Sequence, residues 1–346
     1  MRRTIFVAIF SLILLSLPSA HADRGMIPVS PEVSVYEPGQ KAILAWNGYE
    51  EVMILSTDVT SNGETLVLEI LPLPSIPVVE AASFQAFERI QSLIWEEGMS
   101  LFNYGALRDA RSGSVEVVFH EEIGLHNITA VKAEDSSELV DWMRNFLEKN
   151  GIDEEASLQS FESVVEGYMN RGFRYYVLDL ITVSSEERSV DPILYRFNSS
   201  FLYYPLVISS PIDGSTQITL FLLTEGKEVT DYWPMQPAYY VSPGGIQPIQ
   251  FVLSKGELSK IDLRIGEIFQ DSAWLTILEF DGHLSSLQRD LMISSEAPTN
   301  TPINIEVSFP PTLIALCILL GAASTLAGVI STLIITRSRK KPEKVN

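Results

Sequence analysis

Residues 120–126, His-Glu-Glu-Ile-Gly-Leu-His, are the stretch whose residue types come closest to a metal site. A zinc-peptidase helix places two histidines four residues apart, so that both rings lie on one face. His120 and His126 are six residues apart, which is about 600° of helical rotation and puts the rings on opposite sides. On a strand they would share a face about 20 Å apart, unless a tight turn at Gly124 brought them together. The spacing predicts a surface hairpin and no metal site, with His120 and His126 as weak ligand candidates.

Neighbouring carboxylates recur along the chain, as Glu50-Glu51, Glu96-Glu97, Glu154-Glu155 and Glu186-Glu187. A glycosidase needs two carboxylates on either side of the scissile bond, and adjacency in sequence does not establish that arrangement. The chain has no nucleophile elbow, phosphate loop or EF-hand calcium loop, and its one cysteine is Cys317. We therefore predict no catalytic residue and no cofactor, and keep a surface hydrolase that uses a carboxylate pair as the alternative function.

The segment 232–240, Tyr-Trp-Pro-Met-Gln-Pro-Ala-Tyr-Tyr, is the strongest candidate for a binding loop. Tyrosine and tryptophan give a large contact area at a low cost in side-chain entropy. The candidate contact residues are Tyr232, Trp233, Tyr239 and Tyr240. The competing interpretation is a rigid loop whose aromatic rings pack on the core.

The two ends of the chain predict a membrane topology. Residues 1–22 have a basic start, a short apolar run and a small-x-small site, which is typical of a signal peptide. Residues 311–336 carry no charge and are long enough to span a bilayer as a helix. Residues 337–346 are rich in Lys and Arg, which marks the cytoplasmic side. We expect residues 23–297 to form one extracytoplasmic domain, joined by a linker at 298–310 to a single-pass anchor in the cell membrane.

The formal charge of the whole chain is −20, and the ends contribute mostly basic residues. The region outside the membrane is therefore strongly acidic, which disfavours nucleic acid as a partner, since nucleic-acid binding depends on Lys and Arg. The predicted partners are the membrane, through the C-terminal helix, and an envelope protein or a second copy of the chain. Small residues at Gly321, Ser324, Thr325 and Gly328 would let another helix approach the anchor closely.

Two sequons lie in the predicted outer region, at Asn127 and Asn198. Each is a candidate glycosylation site whose use depends on the host.

The hydrophobic pattern predicts an α+β fold of mostly antiparallel strands with two to three inserted helices, plus the C-terminal transmembrane helix. Residues 33–73 read as an antiparallel meander, with turns at Glu37-Pro38-Gly39 and at Asn47-Gly48. Apolar stripes predict helices near 81–95, 136–150 and 153–170, the second of them capped by Ser136 or Ser137 with Trp142 on its buried face.

Further strands are predicted at 173–183, 201–208, 217–224 and in three segments between 238 and 293. Those three segments are Ile-Gln-Phe-Val-Leu-Ser, Lys-Ile-Asp-Leu-Arg-Ile and Ala-Trp-Leu-Thr-Ile-Leu-Glu-Phe. Asp281-Gly282-His283 follows the last of them as a predicted turn.

The order of these pieces resembles the DUF2330 family, a family of unknown function. The segments that carry the resemblance are EEVMILSTDVTSNGETLVLEILPLPSIPVVE, ITAVKAEDSSELVDWMRNFLEKNGI, MNRGFRYYVLDLITV, DPILYRFNSSFLYYPLVI, TLFLLTEGKEV and WLTILEFDGHLSSLQRDLMI. The resemblance implies an exported, often membrane-anchored protein, and it supplies no catalytic residues. Many members carry cysteines near the mature N-terminus and this chain has none there, so no disulfide or metal role follows. The sequence thus predicts a membrane-anchored module that acts in binding or envelope assembly.

The predicted topology can be tested with protease on intact cells. Residues 23–310 should be digested and a C-terminal epitope within 337–346 should survive, because the anchor separates the two. Immunoblots with antibodies to each part measure this. A middle region that is digested only after the cells are lysed would contradict the topology.

Overall fold

The computed structural model describes residues 27–28, 35–99, 126–149, 158–184, 188–212, 214–227 and 232–293. All of them belong to one compact unit, 1–303. The fold of this part is α+β with mostly antiparallel strands, as predicted, but it contains five α-helices rather than two to three. No helix in these ranges is long and apolar enough to cross a membrane. The predicted signal peptide, 1–22, and the predicted anchor, 311–336, lie outside the described residues.

The regular elements are numbered here in chain order. The strands are β1 Ile27–Pro28, β2 Val35–Trp46, β3 Glu50–Ser61, β4 Thr65–Leu73, β5 Val78–Ala81, β6 His126–Lys132, β7 Tyr175–Val183, β8 Arg188–Ser189, β9 Ile193–Asn198, β10 Leu202–Tyr204, β11 Ser215–Thr224, β12 Gln236–Pro237, β13 Tyr239–Ser242, β14 Gly245–Pro248, β15 Gln250–Ser254, β16 Ser272–His283 and β17 Leu291–Ile293. The α-helices are α1 Gln85–Glu96, α2 Ser136–Lys149, α3 Gln159–Asn170, α4 Lys255–Ile261 and α5 Leu263–Ile268.

Two sheets organise the described chain. The larger has the strand order β12-β16-β11-β2-β3-β9-β5, with β15 also paired to β16 and β8 to β3. The smaller has the order β1-β4-β7-β6. β2 lies parallel to β11, and the other pairings in both sheets are antiparallel.

The main core forms where helices cover one face of the large sheet. Ile43, Phe221 and Ile277 from three neighbouring strands pack against Phe87 of α1 and Ile265 of α5, and all five side chains are buried. The apolar stripe predicted near residues 81–95 is the buried face of α1, so that prediction is confirmed. A helix on a sheet face is a common way to bury both apolar surfaces.

The predicted meander is wrong in its second half. β2 and β3 form the expected hairpin, and Gly48 in its turn has φ +94°, a conformation that suits glycine. β4, however, belongs to the small sheet, where it pairs with β7. Residues 37–39 are a register shift inside β2 rather than a turn. β4 is buried along nearly its whole length, which requires packing on both faces.

Short helices replace two predicted strands. Residues 260–261 end α4, and residues 263–265 begin α5. α4 starts with a capping box in which Ser254 and Glu257 bond each other's backbone N–H groups. Residues 201–208 form only the three-residue β10, followed by a 3-10 helix at Val207–Ser209.

The helix predicted at 136–150 exists as α2, but two of its details differ. Its cap is Asp135, whose Oδ1 accepts from the N–H groups of Ser137 and Glu138, instead of Ser136 or Ser137. Trp142 is partly exposed and stacks on Phe146 instead of entering the core.

A buried carboxylate ties the end of the described chain to α3. Asp290 Oδ1 accepts from the Tyr168 hydroxyl at 2.7 Å and from the N–H groups of Leu206 and Val207 at 2.8 Å each. Its other oxygen lies 2.8 Å from the Arg171 guanidinium. Charge-assisted bonds of this kind are stronger than neutral ones.

A second buried carboxyl has less support. Glu51 is fully buried, its Oε2 accepts from the Tyr203 N–H at 2.8 Å, and its Oε1 has no hydrogen-bond partner among the described residues. Burial therefore raises the pKa of Glu51 well above its usual value, against the weaker effect of the Tyr203 bond. A raised pKa in the folded state means that Glu51 stabilises the fold at low pH and that this stabilisation is lost as pH rises through the raised value.

Glu51→Gln should remove this dependence, because glutamine keeps an acceptor for Tyr203 and cannot ionise. The variant's free energy of unfolding should exceed that of the natural protein by an amount that grows as pH rises above about 4.5. Urea titrations from pH 4 to 8 measure the difference. Parallel curves for the two proteins would show that the pKa of Glu51 is the same in the folded and unfolded states, which contradicts the raised pKa.

Candidate functional site

The aromatic segment 232–240 divides between core and surface. Tyr232 is buried and Tyr240 packs against the main core, as the competing interpretation expected. Trp233 and Tyr239 remain 50% and 45% exposed. The Arg289 guanidinium lies 5.5 Å from the centre of the Trp233 ring and covers part of it. Of the four aromatic candidates, Tyr239 and Trp233 are the ones that can contact a ligand.

Backbone pairing fixes this segment at the edge of the large sheet. Gln236 and Pro237 pair with Glu279 and Leu278 of β16. The next residue, Ala238, donates its N–H to Ile277 and accepts one from Ile249. The chain between them leaves the sheet as the hairpin β13–β14 and returns at the same point.

A cleft of about 370 Å³ opens beside this edge. Its lining residues are Pro234, Gln236, Pro237, Tyr239, Glu279, Phe280 and Asp281. The volume falls at the lower end of the range for small-ligand sites, which is about 300–1,000 Å³. Prolines and an exposed tyrosine on one wall, with carboxylates on the other, give it both apolar and charged contacts.

The two carboxylates of the cleft have different surroundings. Glu279 is half-buried, and burial raises its pKa. Asp281 is exposed and its Oδ2 accepts from the neutral Gln217 side-chain amide at 3.1 Å. Residues two apart on a strand share a face and have Cα atoms about 7 Å apart. The site therefore presents two carboxylates on one wall, and burial raises the pKa of Glu279.

Glu279 and Asp281 were not recognised in the sequence. Asp281-Gly282-His283 was predicted to be a turn, but β16 runs through it, and Asp281 and His283 pair with Gln217 and Ser215 of β11. The polar and apolar alternation of Glu279-Phe280-Asp281 was a usable sign that the strand continued. That the two carboxylates face a cleft depends on β12, which pairs with β16 from more than 40 residues earlier in the chain.

His126 is not on a surface hairpin. It begins β6, and its ring is buried between the two sheets. Nδ1 contacts Oδ2 of Asp179, and Nε2 lies 2.9 Å from the Asp191 carbonyl oxygen. A carbonyl oxygen only accepts, so Nε2 carries a proton. His126 thus joins the small sheet to the loop between β8 and β9.

No metal site accompanies this histidine within the described ranges. No group of three or more His, Cys, Asp or Glu side chains there could hold a metal ion. His120 lies outside the described residues, so the proposed pairing of His120 with His126 stays untested. Removing the His126 ring should change stability, because the ring is buried and bonded at both nitrogens.

The charge of His126 follows from its neighbours. Burial alone lowers its pKa, but the bond to Asp179, the charges of Asp179 and Glu69, and the Asp191 carbonyl outweigh burial and raise the pKa above its usual value. The imidazolium therefore stabilises the fold below about pH 6.5, and this contribution is lost as pH rises through the raised pKa.

Both sequon asparagines, Asn127 on β6 and Asn198 at the end of β9, are exposed. Glycosylation at either residue stays a prediction. The helix-packing residues Gly321, Ser324, Thr325 and Gly328 lie outside the described residues.

His126→Gln should flatten the pH dependence of stability, since glutamine cannot take up a charge. At pH 6 the variant should lose about 3–5 kcal/mol of unfolding free energy, because it leaves the Asp179 carboxylate buried without its partner. The loss should shrink toward pH 9. Urea unfolding at several pH values measures it, and His283→Gln, at an exposed ring, is the matched control. A loss that does not change with pH would mean that the pKa of His126 is the same in the folded and unfolded states, and a loss that grows toward pH 9 would mean that the folded state disfavours the imidazolium.

Comparisons with known proteins place the chain in a family but assign no activity. A comparison with curated proteins gives no match. Among solved structures, the crystal structure of baculovirus P35 aligns with 79% of this chain and 98% of its own, at 9% identity and a TM-score of 0.41. A mutated baculovirus P35 after caspase cleavage covers 73% of this chain and 98% of its own, at 8% identity and a TM-score of 0.37. These scores are too low to support any conclusion.

The family described as "Uncharacterized protein conserved in bacteria (DUF2330)" matches residues 18–232, more than half of the chain and all of the small sheet. The match ends at Tyr232, so β12 to β17, which include the cleft walls, lie beyond it. The resemblance noted in the sequence is confirmed: this chain belongs to the DUF2330 family.

Proposed function

We propose that this DUF2330 protein is a membrane-anchored extracytoplasmic binding module and that the cleft beside β12 and β16 is its ligand site. The anchor and the location rest on the sequence of the two ends. The ligand site rests on one observation: the carboxyl of Glu279 is half-buried and lines a cleft, and among the described residues burial is what raises its pKa.

Burial of an ionisable group without a partner has a cost to stability, and groups of this kind are concentrated at functional sites. The residues that line the cleft also support a binding function. Tyr239 offers an exposed ring beside the carboxylates, and pockets that bind ligands commonly combine aromatic surface with a few polar groups. A ligand with a positive group and some apolar surface would satisfy both walls.

A carboxylate-pair hydrolase is the second candidate, because Glu279 and Asp281 both line the cleft. Their Cα spacing, about 7 Å, is compatible with carboxyl groups 5–9.5 Å apart, and Glu279 has the raised pKa of a general acid. Both residues, however, project from one strand and form one wall, whereas glycosidase carboxylates flank the scissile bond. Binding is therefore the better-supported function.

In-cell photocrosslinking tests the binding site. Benzoylphenylalanine in place of Gln236, an exposed residue on the cleft wall, should give a discrete adduct after irradiation of intact cells. The same residue in place of Tyr49, which is 68% exposed in the β2–β3 turn, is the matched control and should give none. Adding Glu279→Gln to the Gln236 variant should reduce the adduct strongly.

Equal labelling from positions 236 and 49, or no labelling from position 236, would contradict the proposed site. The hydrolase candidate has its own readout in the full-length protein. It takes precedence if the protein releases reducing sugar from envelope polysaccharide and if Glu279→Gln and Asp281→Asn each abolish that release.

A further inference from the structure

The hairpin β13–β14 exposes an apolar face. Val241 pairs with Ile246 and Tyr239 with Pro248, and directly opposed residues of an antiparallel pair project to the same side. Tyr239, Val241 and Ile246 are 45%, 65% and 73% exposed. Large apolar side chains that cluster on a surface commonly mark an interaction site.

This face is continuous with the cleft. Tyr239 belongs to both, because it lines the cleft and lies on the same side of β13 as Val241. Neighbouring positions on one face of a strand are about 7 Å apart. A ligand that fills the cleft and extends by two residues along the hairpin would therefore reach Val241 and Ile246.

The hairpin also offers backbone groups. In the part of the chain that the structure describes, β13 and β14 pair only with each other, so each has one open edge. An open strand edge is a template for another strand. The ligand best suited to such an edge is an extended polypeptide, whose alternate side chains meet one surface.

The charge of the cleft decides what the polypeptide carries at its first position. Glu279 and Asp281 give that end two carboxylates, and Asp281 is bonded to a neutral amide. The cleft thus complements a cationic side chain, and the hairpin complements apolar ones.

We propose that the cleft and the β13–β14 face together bind an extended polypeptide segment, with a lysine or arginine side chain between Glu279 and Tyr239 and an apolar side chain two residues further along over the paired residues Val241 and Ile246. This proposal rests on the proposed function, since it names the ligand class of the same site. It adds the hairpin as the surface that selects the apolar position.

Three labelled peptides test it with the full-length protein in detergent micelles. The first is Lys-Thr-Val-Thr-Val with blocked ends, the second replaces Lys by norleucine, and the third replaces both Val by Ser. Fluorescence anisotropy should show the first binding about tenfold more tightly than either of the others, a factor typical of one good contact.

Variants assign each contact to its residue. Glu279→Gln should weaken the first peptide about tenfold and remove its advantage over the norleucine peptide. Ile246→Thr should weaken it similarly and remove its advantage over the serine peptide. Matched controls are Glu97→Gln, outside the cleft, and Ile76→Thr, an exposed residue next to β5 at the far edge of the large sheet. Thermal unfolding should be unchanged in Ile246→Thr, Glu97→Gln and Ile76→Thr, because those side chains are exposed, and it should not be lowered in Glu279→Gln, which removes a half-buried charge.

Equal binding of the lysine and norleucine peptides would overturn the cationic position, and an unaffected Ile246→Thr variant would overturn the role of the hairpin. Binding to phosphatidylcholine vesicles that Ile246→Thr abolishes would assign the hairpin to a lipid surface instead. If no peptide binds while position 236 crosslinks in cells, the ligand class is wrong and the proposed site stands. If both fail, the site itself is wrong.

Discussion

The register of β16 is the constraint on which both the core and the cleft depend. Ten consecutive residue pairs join it to β11, from Ser215–His283 to Thr224–Trp274. On its other side it pairs with β15 and β12 in turn. A shift of one residue would turn Ile277 out of the core and Glu279 away from the cleft, because side chains alternate along a strand. The apolar residues of β16 that pack in the core, such as Ile277, therefore fix the position of Glu279 at the cleft.

Buried polar groups determine how the remaining elements meet. His126 links the small sheet to the loop before β9, and Asp290 gathers α3 and residues 206–207 around one carboxylate. Such pairs add little net stability compared with apolar packing, but they cost much when one partner is lost. Their main effect is to penalise any arrangement that leaves a charge unpaired.

Local patterns in the sequence predicted local structure well. The Asn47-Gly48 hairpin, the buried stripe of α1 and the strand at 173–183 each follow from residues within one short window, and the structure has all three. What the patterns did not contain was the partner of each element. The hydrophobic pattern of β4 is the same whether the strand continues a meander or pairs with β7. The paired residues of β7 lie more than 100 positions later in the chain.

Only part of the candidate site could be predicted from the sequence, for the same reason. The aromatic residues stand together in the sequence, so segment 232–240 could be selected, although nothing local says that Tyr232 turns inward and Tyr239 outward. Glu279 can be recognised as part of a site only when the pairing of β12 beside it is known. His126 looked like a surface residue because its partner, Asp179, is 53 residues away. The strand at 260–265 was a local error, since the Ser254 to Glu257 capping box was readable in the sequence.

The parallel pairing of β2 with β11 also sets the order in which the molecule can form. β2 is complete at residue 46, yet its second neighbour begins at residue 215, and β11 in turn needs β16, which ends at residue 283. Closing loops of this length precedes any gain from the contacts, which makes folding slow. During synthesis the β2–β3 hairpin therefore waits with an open apolar edge until the last third of the domain has emerged.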